Sequence, residues 1–205
     1  MEGIGFPGDS GNRLKQQMEF IVEVDKLKHI FRQTYLADGT RKENDAEHSW
    51  HLALMVFLLA EHTLEQKVDI LHTMKMVLIH DIVEIDAGDT YCYDDIAALD
   101  KEERERKAAS RIFNLLPADQ AKEIWELWEE FEEVRTPEAR FAAALDRLQP
   151  LLLNYASKGR SWQEHEVRRS ECLQRNNYIE HSSKVLWDYA LHVLDESVKK
   201  GYLAE

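Results

Sequence analysis

Three short segments of this 205-residue chain carry side chains whose types and spacing suit metal chemistry. His80-Asp81 closes an apolar run (Met74, Met76, Val77, Leu78, Ile79) where a polar loop begins. Glu47-His48-Ser49 stands at the start of another helical stretch, and Asp146 interrupts the apolar face Ala142-Ala143-Ala144-Leu145. A carboxylate buried among alanines is costly unless it meets a cation or a strong donor. Neighbouring Arg147 is a poor partner for it, because consecutive helical residues point about 100° apart. Two imidazoles and two carboxylates suit one divalent ion, whose charge the carboxylates balance. His48, His80, Asp81 and Asp146 are therefore the candidate ligands, with cobalt, manganese, zinc, magnesium and iron all open as the ion.

The remaining histidines call for less. His29, His62, His72, His165, His181 and His192 lack a carboxylate at a suggestive spacing and read as surface or packed residues. His51, three residues after His48, is the one spare imidazole for a two-metal site, although it more simply begins the buried face of its helix.

The elements that must position these groups are helices. Apolar residues recur at helical spacing nearly everywhere, and no stretch alternates with period two, so the reading is an all-α, single-domain helix bundle without a sheet. A first helix is expected over 14–32, with Phe20, Ile21, Val24, Leu27, Ile30 and Phe31 as its buried stripe. A second starts near Asp45 as N-cap and runs to about Glu61. Thr63-Leu64-Glu65-Gln66 reads as a capping box opening a third helix that ends near Val83. A loop over 85–94 precedes a charged helix over 95–115, and Pro117 opens the next, ending near Glu133. Thr136-Pro137 starts the helix carrying Asp146. Pro150 cannot donate to the Asp146 carbonyl, so a kink or helix end is expected there. Lys158-Gly159-Arg160 ends that helix, and stretches over 162–175 and 178–200 complete the bundle. The implied organisation is a flexible segment over 1–13, a helical core over 14–160, and C-terminal helices over 161–205 packed on the same domain.

Composition limits the partners. The formal net charge of −13 argues against a nucleic-acid polymer or an anionic membrane surface. A small phosphorylated substrate needs only two or three local cations and stays compatible with it. The longest apolar run, Leu52 to Ala60, is far too short to span a bilayer. The N-terminus lacks a basic start and an apolar stretch, and the two cysteines, Cys92 and Cys172, read as unpaired thiols, so a cytoplasmic setting is expected. Trp125, Trp128 and Phe131 form a helical aromatic stripe, read first as core and alternatively as the anchor of a homodimer.

The order His … His-Asp … Asp resembles the signature of the HD-domain superfamily of metal-dependent phosphohydrolases. Glu43-Asn44-Asp45-Ala46-Glu47-His48-Ser49 and His80-Asp81-Ile82-Val83-Glu84-Ile85-Asp86-Ala87-Gly88-Asp89 look like two motifs of its 5′-deoxynucleotidase branch, over roughly residues 14–160. The resemblance implies an HD-domain helix bundle, often a homodimer, that removes phosphate from a small nucleotide such as a (deoxy)nucleoside 5′-monophosphate. It assigns the metal to His48, His80, Asp81 and Asp146, and gives Glu84 and Asp89 work in proton transfer and nucleotide contact. The branch carries an Arg-aromatic pair before the first histidine, whereas this chain offers Arg32 without the aromatic. Arg32 is the first candidate for the phosphate, with Arg41, Lys158 and Arg160 behind it. Nucleoside di- or triphosphates are the alternative substrates, and a non-catalytic metal- or nucleotide-binding regulator is the alternative of another class.

Overall fold

The computed structural model describes residues 9–64, 68–91, 93 and 99–205. In chain order the elements are α1 (Asp9–Val24), a 3-10 turn (Asp25–His29), β1 (Phe31–Tyr35), β2 (Lys42–Asn44) and α2 (Asp45–Leu59). After a 3-10 turn (Ala60–His62) come α3 (Ile70–Ile79), a 3-10 turn (His80–Val83) and α4 (Glu84–Ala87). There follow α5 (Lys101–Phe113), α6 (Ala118–Glu133), α7 (Pro137–Ala156), α8 (Arg160–Glu164) and α9 (Arg169–Asn176). A 3-10 turn (Asn177–His181) and α10 (Lys184–Lys199) complete the chain.

Helix α7 is the axis of the molecule. Thr136 caps it by accepting from the Ala139 amide at 3.1 Å, and Pro137 takes the first-turn position, where a missing N–H costs nothing. Phe141, Ala142, Ala144, Leu145 and Leu148 are all buried, so the helix meets protein on several sides, from α2, α3, α6 and α10. Alanine at two of these positions lets neighbouring backbones come close. Pro150 does not end α7, which runs on to Ala156, and the Asn154 side chain donates through Nδ2 to the Pro150 carbonyl at 2.9 Å.

The first expected helix divides into three parts. It begins at Asp9, ahead of Leu14, ends at Val24, and gives way through a 3-10 turn to an antiparallel ribbon of β1 and β2. The chain is an all-α bundle as expected, and only the expectation that it has no sheet is corrected, by this one small ribbon. The ribbon escapes period-two detection because its register shifts between Phe31 and Tyr35, and its burial does not alternate along the strand. Of the expected stripe, Leu27 is buried, but Ile21 is 58% and Phe31 50% exposed.

Other boundaries move for local reasons. Asn44, not Asp45, is the N-cap of α2, accepting from the Glu47 amide at 3.0 Å while Glu47 accepts from the Asn44 amide at 3.2 Å. Asp69, not Thr63, caps α3, and residues 65–67 of the expected capping box lie outside the described residues. Residues 84–87 form a helical turn where a loop is expected. The charged helix is described from Lys101, with 94–98 and Cys92 outside the described residues.

The aromatic stripe of α6 belongs to the core. Trp128, 2% exposed, sits in a second apolar cluster with Leu27, Ile112 and Phe113, and Trp125 stands edge-on to both Phe113 and Trp128. Trp128→Ala should therefore destabilise the fold by about 3–5 kcal/mol, the usual cost of emptying a large buried site. Chemical denaturation measures this. A loss of less than about 1 kcal/mol would place the ring outside the load of the core.

Candidate metal centre and active-site cleft

Each expected ligand is delivered by a different local device. The capping box at Asn44 fixes the first turn of α2 and turns His48 inward, where it is fully buried. At the end of α3 the backbone tightens into the 3-10 turn His80–Val83, all four residues of which are buried. Asp146 comes from the middle of α7.

The donor atoms converge. His48 Nε2 lies 3.0 Å from Asp146 Oδ1 and 3.9 Å from Asp81 Oδ2. His80 Nε2 lies 3.1 Å from Asp81 Oδ1 and 3.8 Å from Asp146 Oδ1. Ligands at about 2.1 Å around a tetrahedral ion stand about 3.4 Å apart, so these separations fit a shared divalent cation. His80 adds a sharper sign. Its Nδ1 donates to the Val77 carbonyl at 2.9 Å, which directs the Nε2 lone pair into the cluster, yet Nε2 is buried without a hydrogen-bond partner. Close approach without hydrogen-bond geometry is what a common cation between donors produces.

A second layer orients the first. His48 Nδ1 donates to Gln149 Oε1 at 3.1 Å, and Gln149 Nε2 donates to Glu43 Oε1 at 2.7 Å. Gln149 Nε2 also lies 3.2 Å from His51 Nδ1, so His51 belongs to this relay rather than to the ligand cluster. Phe131 packs against the His80 ring at 4.6 Å between centroids. Such outer contacts fix ring orientation and tautomer. Gln149 and Glu43 went unassigned in the sequence, although Gln149, three residues after Asp146, shares its helical face.

The electrostatics follow from crowding. Burial would raise Asp146, but its contacts with His48 and His80 hold its carboxyl well below the usual range. Burial and Arg32 would lower His48, yet the carboxylates of Asp146 and Glu43 prevail and lift it to about 9. Beside this group stands a second one, Asp45, Asp81 and Glu84, which also has the spacing of ion ligands. Burial, together with the charge of Asp81, raises Asp45 to about 7 and Glu84 well above its ordinary value. Burial raises Asp89 as well, against the pull of Arg32.

Arg32 enters from β1 and is the cation of this acidic group. Its Nη1 donates to Asp81 Oδ2 at 2.8 Å and reaches Asp45 Oδ1 at 3.4 Å, and its Nη2 lies 3.8 Å from Asp146. Asp89 follows Gly88, whose φ of +77° suits glycine and turns the chain back towards the cleft. Arg104 holds that segment by donating to the Ala87 carbonyl and to Thr90.

Arg32, His80, Asp81, Glu84, Asp89 and Asp146 all line one cleft, together with Lys101, Tyr91, Tyr93 and Trp162. Arg41 and Lys158 are not brought to it. Arg41 pairs with Glu47, and Lys158 sits in a left-handed turn after α7 with φ +60°. Arg160 instead covers the Tyr35 ring at 4.1 Å and donates to the Gly39 carbonyl. The aromatic lining was visible in the segment after Gly88-Asp89 as Tyr91 and Tyr93, but neither was assigned.

Comparison with known proteins adds to this geometry. A solved structure of a predicted metal-dependent phosphohydrolase from Magnetospirillum magnetotacticum is 54% identical, with a TM-score of 0.93 over 98% of this chain and 100% of that one. The 5′-deoxynucleotidase HDDC2 of Homo sapiens is 31% identical over 144 residues, 70% of this chain and 69% of that protein. Its counterpart in Dictyostelium discoideum is 29% identical over 147 residues, covering 69% of this chain and 77% of that protein. The HD domain family model matches residues 24–187, a span that holds all four convergent ligands, and this chain belongs to the HD domain family.

Proposed function

We propose that the cleft hydrolyses the phosphate ester of a small nucleotide, a (deoxy)nucleoside 5′-monophosphate in the first instance. The observation that carries this is the convergence of His48, His80 and Asp146, with the two Asp81 oxygens 3.1 and 3.9 Å from the imidazoles, beside Glu84 in an aromatic-lined cleft. The names of the human and Dictyostelium relatives and of the Magnetospirillum structure agree with it. Tyr91 and Tyr93 offer faces for a nucleobase.

A divalent cation held by His48, His80, Asp81 and Asp146 supplies Lewis acidity and lowers the pKa of water. The chain's own groups do the rest. Glu84 Oε2 is buried and without a hydrogen-bond partner, so it is free to orient the attacking water and take its proton. Asp89, raised by burial, is placed to protonate the leaving alkoxide. Arg32 and Lys101, both lining the cleft, offset the negative charge of the phosphate.

We also place this activity in the cytoplasm and in a homodimer. The dimer contact moves from α6 to α2 and α3. Trp50, Leu54, Phe57 and Leu58 repeat at helical spacing on α2, with Trp50 65% and Phe57 64% exposed, and Leu71 and Leu78 stand exposed on adjoining α3. An apolar face of this kind suits a two-fold contact.

Phosphate release from a panel of nucleoside mono-, di- and triphosphates with Mn²⁺, Co²⁺, Mg²⁺ and Zn²⁺ tests the reading, and silence across the panel would overturn it. His80→Ala should lose bound metal by elemental analysis while its far-ultraviolet circular dichroism stays helical. Stoichiometric metal retained by that variant would remove His80 from the ligand set. Glu84→Gln should keep its metal and lower kcat by about 10²–10⁴-fold. Wild-type turnover in that variant would return the proton transfer to Asp89 or to the ion alone. Phe57→Glu should shift a light-scattering dimer towards monomer, and a monomeric wild type at tens of micromolar would dismiss the α2 contact.

A further inference from the structure

One wall of the cleft carries two arginines that form no salt bridge among the described residues. Many guanidinium groups elsewhere in this acidic chain are paired, as Arg13 is with Asp119, Arg106 with Glu102 and Glu129, Arg111 with Asp86 and Glu23, and Arg169 with Asp195. Among the described residues, Arg147 and Arg175 form no salt bridge, yet both line the same cleft as Asp81 and Asp146. Arg147 stands beside Asp146 in sequence, but the turn of α7 keeps their charges from pairing.

Arg147 is held rather than free. Its guanidinium carbon lies over the Tyr178 ring, 4.5 Å from the centroid, and its Nη1 is buried without a hydrogen-bond partner. A buried, unsatisfied charged donor is expensive. A guanidinium with a buried, unsatisfied donor and a second one on the exposed rim of the same cleft form an unfilled anion site, in a protein with acids to spare.

We propose that Arg147 and Arg175 form a subsite for a second phosphate on the substrate. The favoured molecule is then a nucleotide with two phosphate groups, one presented to the four metal ligands and the other held by the arginines. This rests on the hydrolysis proposed above. Water adds to the phosphorus at the metal ligands, its P–O ester bond breaks, and the alcohol leaves with a proton. The second phosphate is bound and left intact.

The test compares a nucleoside 5′-monophosphate with the 3′,5′-bisphosphate and the 5′-diphosphate of the same nucleoside. The wild type should show a KM about 10- to 100-fold lower for at least one of the two doubly phosphorylated compounds. Whichever it is tells whether the second group hangs from the sugar or from the first phosphate. In Arg147→Met and Arg175→Met the ratio of KM values should fall to within about twofold of unity, and Arg147→Lys should restore part of it. Arg175 lies on the exposed rim of α9, so Arg175→Met keeps the test open should Arg147→Met fail to fold. Equal KM values for all three compounds in the wild type, or an advantage that survives both substitutions, would overturn the subsite.

A binding measurement separates this failure from failure of the hydrolytic reading. Inorganic phosphate is titrated calorimetrically into His80→Ala and into His80→Ala/Arg175→Met. Phosphate binding that disappears with Arg175 supports the subsite even if no nucleotide is hydrolysed. Absent binding in the first protein, or equal binding in both, counts against it.

Discussion

The structure is organised around a charge problem. Asp81, Glu84, Asp89 and Asp146 line one cleft with Asp45 buried beside them, and carboxylates so placed repel one another strongly. Arg32 answers part of this, reaching Asp81, Asp45 and Asp146 with one guanidinium group. The short ribbon of β1 and β2 exists at the point where that guanidinium must enter. The remaining negative charge presses a positive one on His48, which is the same demand that a divalent cation meets. Fold and chemistry are therefore linked through electrostatics more than through shape.

The layer behind the ligands explains why the core beside the site is polar. Gln149 is fully buried in the middle of a largely apolar helix, and it is satisfied by His48, Glu43 and His51 at once. A network of this kind rigidifies a site when complete and destabilises it when broken. On the other side, Phe131 and the Val77 carbonyl hold the His80 ring. The two imidazoles are thus positioned by opposite means, one by a polar relay and the other by an apolar ring and a backbone oxygen.

The ligand residues were legible because each broke a local pattern. Asp146 interrupted an alanine-rich face, and His80-Asp81 ended an apolar run. The cap at Thr136-Pro137 was equally plain, since capping chemistry is local. The ribbon was not, because Phe31 faces solvent, Thr34 and Tyr35 are both buried, and a bulge removes the alternation on which strand detection depends. Gln149, Glu43 and Asp45 resisted assignment for another reason. Their importance lies in contacts across more than ninety positions of sequence or with a distant arginine, which no local spacing reveals. Arg41 and Lys158 drew attention through charge alone, and charge does not say which way a side chain turns.

The four-residue turn His80–Val83 has a consequence for how such a site can change over generations. Each residue of a 3-10 turn rotates the chain by about 120°, against about 100° in an α-helix. A point substitution there alters one side chain and leaves the rest in phase. One inserted or deleted codon would turn every later side chain by about a third of a circle, carrying Asp81 and Glu84 off the cleft together. Ile82 and Val83 can drift in letters, but the segment cannot drift in length. Variation in loop length is therefore expected to gather at places such as the hairpin turn between β1 and β2, which lies outside the ligand set.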